Sequence, residues 1–176
     1  MLSAPELVTP RLRLRETRVA DYQPAADLWA TPSVVRHVGG TPFSGSHTWN
    51  RLLRFAGLWP LLGYGYWTVE ERSSGRFVGQ AGLADFRRDI EAPIVGIPEA
   101  GWAVSPQHEG KGYATEAVAA VLYWADSHLP ADRTCCLIAQ GNRASLRVAE
   151  KLGFVCAHET AFGGALTQVL FRPCPG

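Results

Sequence analysis

The residues whose types and spacing suggest chemistry lie in one stretch, from Glu99 to Ala117. A short apolar, strand-like segment is followed there by a loop that contains Gly110 and Gly112, and then by an apolar helix that begins at about Tyr113. Backbone amides of a glycine loop at a helix N-terminus bind phosphate groups. Ordinary strand-to-helix connections often contain glycine too. The loop alone therefore leaves two interpretations open, a phosphate site and a plain connection.

Two nucleotide-binding motifs are excluded by the spacing within this loop. The residues from Gln107 to Tyr113 lack the GxxxxGK[ST] pattern of a P-loop. The loop has only two glycines, and no acidic residue occupies the expected end of a second strand, so it does not match a dinucleotide fingerprint.

The elements that must position the loop follow from hydrophobic periodicity and from turn residues. One helix is predicted to start at a cap formed by Ser46 and to end at Pro60 and Gly63. A helix starting at Asn142 is predicted to end with Gly153. The alternation predicts strands at 9–15, 64–70, 76–83, 101–104, 133–139, 154–158 and 166–171, and further helices at 21–30 and from 113 onward. This mixed order predicts an α/β protein built on a central sheet.

Three arginines of the first strand, Arg11, Arg13 and Arg15, share one face. A phosphate-binding patch and a solvated strand face both fit this pattern, and we prefer the solvated face.

Composition bounds the class of protein. The 176 residues carry 17 basic and 16 acidic side chains, so neither nucleic acid nor an anionic membrane is an expected partner. The sequence shows no signal peptide and no apolar run of about 18 residues. We expect one domain, 1–176, in the cytoplasm.

No metal site is expected. The five histidines lack ligand spacing, and no CxxC pair occurs among the four cysteines. The adjacent Cys135 and Cys136 lie in a predicted strand, where neighbouring side chains point to opposite faces, so we interpret them as buried structural thiols.

Several motifs together resemble the GNAT superfamily of N-acetyltransferases. The loop Gln107-His-Glu-Gly-Lys-Gly112 is similar to the Q/R-x-x-G-x-G/A pyrophosphate loop of that family, and its flanks resemble the branch that acetylates ribosomal-protein N-termini. A second block, Asn142 to Phe154, agrees, as do 9–15 and 77–83. Residues 32–63 and 87–98 match only loosely.

The resemblance implies a GNAT fold of the α/β (α+β) class. Its central sheet is mixed but mostly antiparallel, has six to seven strands that splay between strands 4 and 5, and is flanked by about four helices. Acetyl-coenzyme A is the implied donor. The implied contacts to it are the loop amides, the strand before the loop and the start of the second block: Trp102, Ala103, Val104, Gln107, His108, Glu109, Gly110, Lys111, Gly112, Tyr113, Ala114, Asn142 and Ser145.

The resemblance implies catalytic roles for two residues of this chain, Glu99 and Ser145. Glu99, just upstream in the strand, is the candidate base acting through water; a solvated strand-end charge is the alternative. Many family members have a tyrosine as the acid at the position of Ala149, and this chain lacks it. Ser145 is the replacement that the ribosomal branch implies, and a small packing residue is its alternative. Asn142 is interpreted both as a helix cap and as a contact to the cofactor arm.

The resemblance thus implies direct attack of a primary amine on the thioester in a ternary complex. The acceptor is a protein N-terminus or a small molecule, and the protein acts as a monomer or homodimer. A catalytically silent coenzyme-A-binding or regulatory domain of the same fold is the alternative function.

Overall fold

The structure, a computed structural model, describes residues 3–175. Eight strands and five helices follow one another in this range. The strands are β1 (Leu7–Val8), β2 (Leu12–Arg15), β3 (Tyr66–Glu71), β4 (Phe77–Ala84), β5 (Glu99–Val104), β6 (Arg133–Ala139), β7 (Val155–Phe162) and β8 (Ala165–Pro173). The helices are α1 (Tyr22–Ala30), α2 (Pro32–Val35), α3 (Gly45–Leu62), α4 (Tyr113–His128) and α5 (Arg143–Lys151).

All eight strands form one sheet in the order β1-β2-β3-β4-β5-β6-β8-β7. Every neighbouring pair is antiparallel except β5 and β6, which are parallel. The predicted mixed, mostly antiparallel sheet is therefore confirmed. It has one strand more than expected because β1 is a two-residue strand, and one helix more because α2 is a single turn that begins at Pro32.

One face of the sheet packs against α4, whose residues Val118, Val121 and Leu122 are almost fully inaccessible. Three tryptophans pack edge-to-face in the same core, with ring centroids 4.7–5.4 Å apart: Trp59, Trp67 and Trp124. Such aromatic contacts add to the stabilisation from apolar burial. This core fixes the position of α4, and therefore of the loop that precedes it.

The predicted start of α3 is wrong, and its predicted end is right for Gly63 but not for Pro60. Ser44, not Ser46, caps the helix, because its hydroxyl accepts a hydrogen bond from the amide of His47 at 3.2 Å. Pro60 lies inside the helix; only two residues follow it, so the missing amide costs one bond near the end. Gly63 does end the helix, as predicted, in a left-handed conformation.

The solvated-face interpretation of the first strand is wrong for Arg15. Its side chain is only 11% exposed and donates to both carboxylate oxygens of Asp21 at 2.7 and 2.9 Å and to Glu70. This network buries charge between β2, β3 and the turn before α1, where sequence alternation alone gives no partner.

The two adjacent cysteines are buried in different core clusters on opposite faces of the sheet, and both are free thiols. Burial raises the pKa of Cys135 to about 12, so it stays protonated and unreactive at neutral pH. Their interpretation as structural thiols is confirmed.

Candidate functional site

The parallel strands β5 and β6 separate almost as soon as they meet. They pair only at Glu99 and Cys135, whereas β4 and β5 stay in register over six residues. The sheet thus opens between β5 and β6. These are the fourth and fifth strands predicted from the sequence, between which the resemblance implied that the sheet splays. An opening in a sheet leaves backbone groups that need other partners.

Backbone groups alternate in direction along a strand, so it can be worked out which amides and carbonyls of β5 face this opening. The amide of Cys135 donates to the carbonyl of Pro98, so Pro98 is directed toward β6. Successive residues of a strand direct their backbone groups to opposite edges. Trp102 and Val104 therefore direct their amides and carbonyls into the opening, while Ala103 directs its own toward β4.

A cavity of about 900 Å³ extends from this opening across the sheet. Its walls are β5, the end of β6, the start of α5, the loop before α3 together with α3 itself, the loop after β4, and the turn between β7 and β8. Polar and aromatic side chains converge in it, as is typical of a small-molecule site. Among its lining residues are Tyr66, Gln80, Glu99, Trp102, Ala103, Asn142, Ser145 and Phe162.

Glu99 lies on the cavity wall where β5 and β6 part, and it is 6% exposed. Both of its carboxylate oxygens accept hydrogen bonds from Arg88, at 2.6 and 2.7 Å. The solvated-charge alternative is therefore wrong. A carboxylate oxygen has a second lone pair, so this bidentate pair still leaves room to accept a proton or a substrate hydrogen bond.

Tyr66 also reaches the cavity from β3. A Cβ atom built on Gly101 would overlap its hydroxyl, so glycine on β5 is what allows the close approach. The Tyr66 hydroxyl has no hydrogen-bond partner among residues 3–175. Burial raises the pKa of Tyr66 to about 12, which keeps the hydroxyl protonated and able to donate.

Asn142 and Ser145 line the cavity from the N-terminus of α5. The Asn142 side-chain oxygen accepts from the Ser145 amide at 3.1 Å, which confirms the predicted helix cap. The Asn142 amide nitrogen and the Ser145 hydroxyl form no hydrogen bond within the described part of the chain. Both groups are thus free to contact a ligand. Ala149 is buried in the core, away from the cavity lining.

The glycine loop adopts the backbone that its sequence predicts. Gly110 and Gly112 have φ angles of 73° and 78°, in the left-handed region, and α4 begins at Tyr113. The amides of 110–115 donate to no acceptor within residues 3–175, whereas the amide of Glu116 donates to Gly112. Consecutive free amides at the N-terminus of a 16-residue helix can donate hydrogen bonds to an anion.

The loop is held in place by residues of the turn between β1 and β2. The Glu116 carboxylate accepts from the Thr9 hydroxyl at 2.6 Å and from the Arg11 backbone and side chain, and Arg11 also donates to the Lys111 carbonyl at 2.8 Å. Burial opposes the charge on Glu116, but these hydrogen bonds outweigh it and lower its pKa. The loop conformation is therefore fixed without a ligand.

The predicted site residues fall into two groups at the two ends of β5. Glu99, Trp102, Ala103, Asn142 and Ser145 meet around the cavity. The others lie beyond the C-terminal end of the strand and do not line the cavity: Val104, Gln107, His108, Glu109, Gly110, Lys111, Gly112, Tyr113 and Ala114.

Two side chains of the loop are turned into the protein and are not available to a ligand. His108 is buried, and burial, followed by the charge of Lys111, lowers its pKa. The hydroxyl of Tyr113 donates to Glu71 at 2.6 Å. At both positions only the backbone remains available to a ligand.

Sequence reasoning missed the arginines of the cavity. Arg51 and Arg54 come from α3, and Arg88 from the loop after β4. They lie within or next to the two segments, 32–63 and 87–98, that matched the family only loosely, and no periodicity marks a charged residue that faces a cavity.

Within residues 3–175, no group of three or more metal-ligating side chains could hold a metal ion. None of the helices described is long and apolar enough to span a bilayer.

A family model described as acetyltransferase (GNAT) domain matches residues 11–155. A solved structure of a putative GnaT-family acetyltransferase from Bordetella pertussis is 32% identical, with a TM-score of 0.84, and covers 96% of this chain and 99% of its own. An acetyltransferase from Agrobacterium tumefaciens str. C58 is 29% identical, with a TM-score of 0.83, and the match covers 98% of this chain and 96% of that one.

Two further comparisons are more limited. The uncharacterized protein YkkB of Bacillus subtilis (strain 168) is 39% identical over 93 residues, so the match spans about half the length (52%) of each protein. The ribosomal-protein-S5-alanine acetyltransferase from Vibrio fischeri is 18% identical, covers 97% of both chains and has a TM-score of 0.72, which shows a shared fold.

Proposed function

Because the chain belongs to the acetyltransferase (GNAT) family, we propose that it moves an acetyl group from acetyl-coenzyme A to a primary amine. One observation supports this proposal most directly. The opening between β5 and β6 connects a row of free loop amides to a cavity that contains Glu99, Asn142 and Ser145. A long donor with phosphates at one end and a reactive thioester at the other fits such a path.

The donor would be held mainly by backbone groups. The free amides of 110–115 and the positive end of the α4 dipole suit its pyrophosphate. Its arm contains amides, which would pair with Trp102 and Val104 in the opening and with the side-chain nitrogen of Asn142. All of these groups lack protein partners in the described range, so they fit this ligand.

The reaction we propose is direct attack in a ternary complex. The amine nitrogen bonds to the acetyl carbon and gives up a proton, through water, to Glu99, and the carbon–sulfur bond breaks. The Val104 amide, which is directed into the opening, would stabilise the developing negative charge on the carbonyl oxygen. Ser145 donates a hydrogen bond, and relays a proton, to the departing thiolate.

A coenzyme A release screen tests this function. Acetyl-coenzyme A is incubated with the protein and a panel of N-terminal peptides and small amines, with correction for the four cysteines if a thiol dye is used. We expect release that matches the acetylated amine measured by mass spectrometry. Tight binding of acetyl-coenzyme A without release for any amine would contradict transfer and leave the silent binding domain.

We also propose that the chain acts in the cytoplasm as a single domain, monomeric or homodimeric, without nucleic acid or membrane. Its near-balanced charge supports the absence of nucleic-acid and membrane partners. Light scattering checks the oligomeric state and cell fractionation checks the location. Retention on membranes or on heparin would contradict the absence of membrane and nucleic-acid partners.

A further inference from the structure

One end of the cavity carries positive charge that the described residues do not neutralise. Of its five arginines, Arg88 pairs with Glu99, and Arg87 pairs with Asp85 at 2.9 Å. The remaining three form no ion pair and no side-chain hydrogen bond within residues 3–175: Arg36, Arg51 and Arg54.

The second carboxylate on the cavity wall does not change this balance. Asp89 lies at the exposed rim and forms no ion pair with any arginine of the described chain. The cavity is therefore a cationic site with vacant guanidinium groups.

Arg51 is the most constrained of these groups. Its Nε atom is inaccessible to solvent and has no hydrogen-bond partner among residues 3–175. The guanidinium lies 4.0 Å from the ring centroid of Trp29 and 4.9 Å from that of Phe55. Cation–π contacts offset part of the desolvation of the charge, but they do not satisfy its N–H donors.

No anion compensates Arg51 electrostatically. The titratable groups near it are Arg54 and Arg88, which repel it, and the hydroxyl of Tyr66, which is neutral at neutral pH. Burial lowers the pKa of Arg51 to about 10, so it remains cationic at neutral pH. A buried charge without a counter-charge destabilises the protein, and such groups concentrate at ligand sites.

Arg54 adds a second guanidinium to the same wall, three residues further along α3 and so on the same face. It lies 5.9 Å from the ring centroid of Phe55, the ring that Arg51 contacts at 4.9 Å. Two planar donor forks beside one aromatic ring suit a carboxylate, whose two oxygens can accept N–H bonds from both forks.

This arginine pair is close to the reactive end of the site. The Phe55 ring under Arg51 stacks on Tyr66 with centroids 3.9 Å apart, and the Tyr66 hydroxyl rests on Gly101 of β5. Two stacked rings therefore separate Arg51 from the strand that begins at Glu99. An acceptor that reaches both points carries its amine and its anion in one molecule.

Building on the proposed acetyl transfer, we propose that the acceptor is an amine that also carries a carboxylate, which Arg51 and Arg54 bind. A free amino acid and a peptide with an acidic first residue share this chemistry. Polyamines and aminoglycosides do not, since they would bring more positive charge to a wall that already has unpaired arginines.

Acceptors matched in pairs that differ by one carboxylate test this inference and separate its two sources. Alanine is compared with alaninamide, and the peptide Asp-Ala-Ala-amide with Asn-Ala-Ala-amide, with spermidine as the polycation. We expect kcat/KM to be at least tenfold higher for the carboxylate member of one pair. Equal values within both pairs, or a preference for spermidine, would overturn the inference while leaving acetyl transfer intact.

Substitutions of the two arginines test whether they bind the carboxylate of the acceptor. Arg51→Gln and Arg54→Gln should each raise the KM of the preferred acceptor about tenfold or more and leave the KM of acetyl-coenzyme A within about twofold. Arg147→Gln, an exposed position on α5 outside the cavity, is the matched control and should change neither. Because Arg51→Gln removes a packed side chain, the exposed Arg54 serves as the second test if that variant unfolds. Unchanged discrimination in Arg54→Gln would then overturn the assignment.

A failure of transfer itself is distinguishable from a failure of this inference. If no amine releases coenzyme A, alanine and Asp-Ala-Ala-amide are titrated by calorimetry into protein saturated with coenzyme A. Binding that Arg54→Gln weakens tenfold would support the carboxylate site. The absence of binding by both would overturn it.

Discussion

The two ends of the site offer their ligands different kinds of atoms. At the loop after β5 the free groups are backbone amides, from 110 to 115, and the side chains of His108 and Tyr113 are turned into the protein. In the cavity the free groups are side chains, among them Ser145, Arg51 and Arg54. A backbone site depends on φ angles, whereas a side-chain site depends on which residues the fold brings together.

This difference determines how each end should respond to substitution. Changing a loop side chain should matter little unless it changes the backbone, while changing a cavity side chain should remove a specific interaction. The following predictions test that contrast, beginning with the largest effect.

Glu99→Gln should have the largest effect on turnover. Removing the charge removes the proposed base, which is worth about 10²–10⁴ in kcat, and leaves Arg88 without its partner. Steady-state kinetics over a range of pH measure this. Glu150→Gln, an exposed carboxylate on α5, is the control. A variant that keeps the acidic limb of the pH–rate profile would remove Glu99 as the base.

Gly112→Val should weaken acetyl-coenzyme A binding by about 10- to 30-fold. A side chain at a φ of 78° costs roughly 1–2 kcal/mol, and more for a β-branched residue, so the loop would shift its amides. Lys111→Ala, which keeps the backbone, should change the Kd by less than about threefold, because an exposed charge contributes little.

Calorimetric titration with acetyl-coenzyme A measures both loop variants, and thermal unfolding controls for stability. If Lys111→Ala weakened acetyl-coenzyme A binding as much as Gly112→Val, the loop would not bind its ligand mainly through the backbone.

Ser145→Ala should lower kcat about tenfold, since one hydrogen bond to a charged leaving group is worth about 1.5 kcal/mol. The affinity for acetyl-coenzyme A should hold, because Asn142 still accepts from the backbone amide of residue 145 and the cap remains. Pre-steady-state turnover and calorimetry separate the two quantities. Unchanged turnover at unchanged affinity would exclude the acid role.

The smallest effect is a pH dependence of folding stability at the loop. Burial lowers the pKa of His108 below its usual ~6.5, so the unfolded chain binds the proton more tightly than the folded chain does. This penalty is absent above pH ~6.5 and grows as the pH falls through that value, which makes the protein less stable in mild acid.

Denaturant unfolding at pH 5.5 and 7.5 measures this effect, with His108→Gln as the variant that cannot titrate. The difference between the two pH values should be smaller in the variant than in the natural protein. An equal difference in both would assign the pH dependence to other groups.

Much of the fold followed from local pattern, and so did one end of the site. The predicted β6 and the start of α4 agree with the structure to the residue, because alternation and a glycine before an apolar helix are strong local signals. The start of α3 did not follow, because Ser44 and Ser46 are both residues that can cap a helix and the sequence does not choose between them.

The sequence by itself determined the loop, since glycine readily adopts the φ angles at positions 110 and 112, which most other residues disfavour. It also determined that Glu99 and the loop occupy opposite ends of one strand. The tertiary structure alone decided that Glu99 pairs with Arg88 and that Arg51 and Arg54 face the same cavity from a distant helix. The physical reason is that a backbone site is encoded where it forms, whereas a side-chain site is assembled by contacts between residues far apart in the chain.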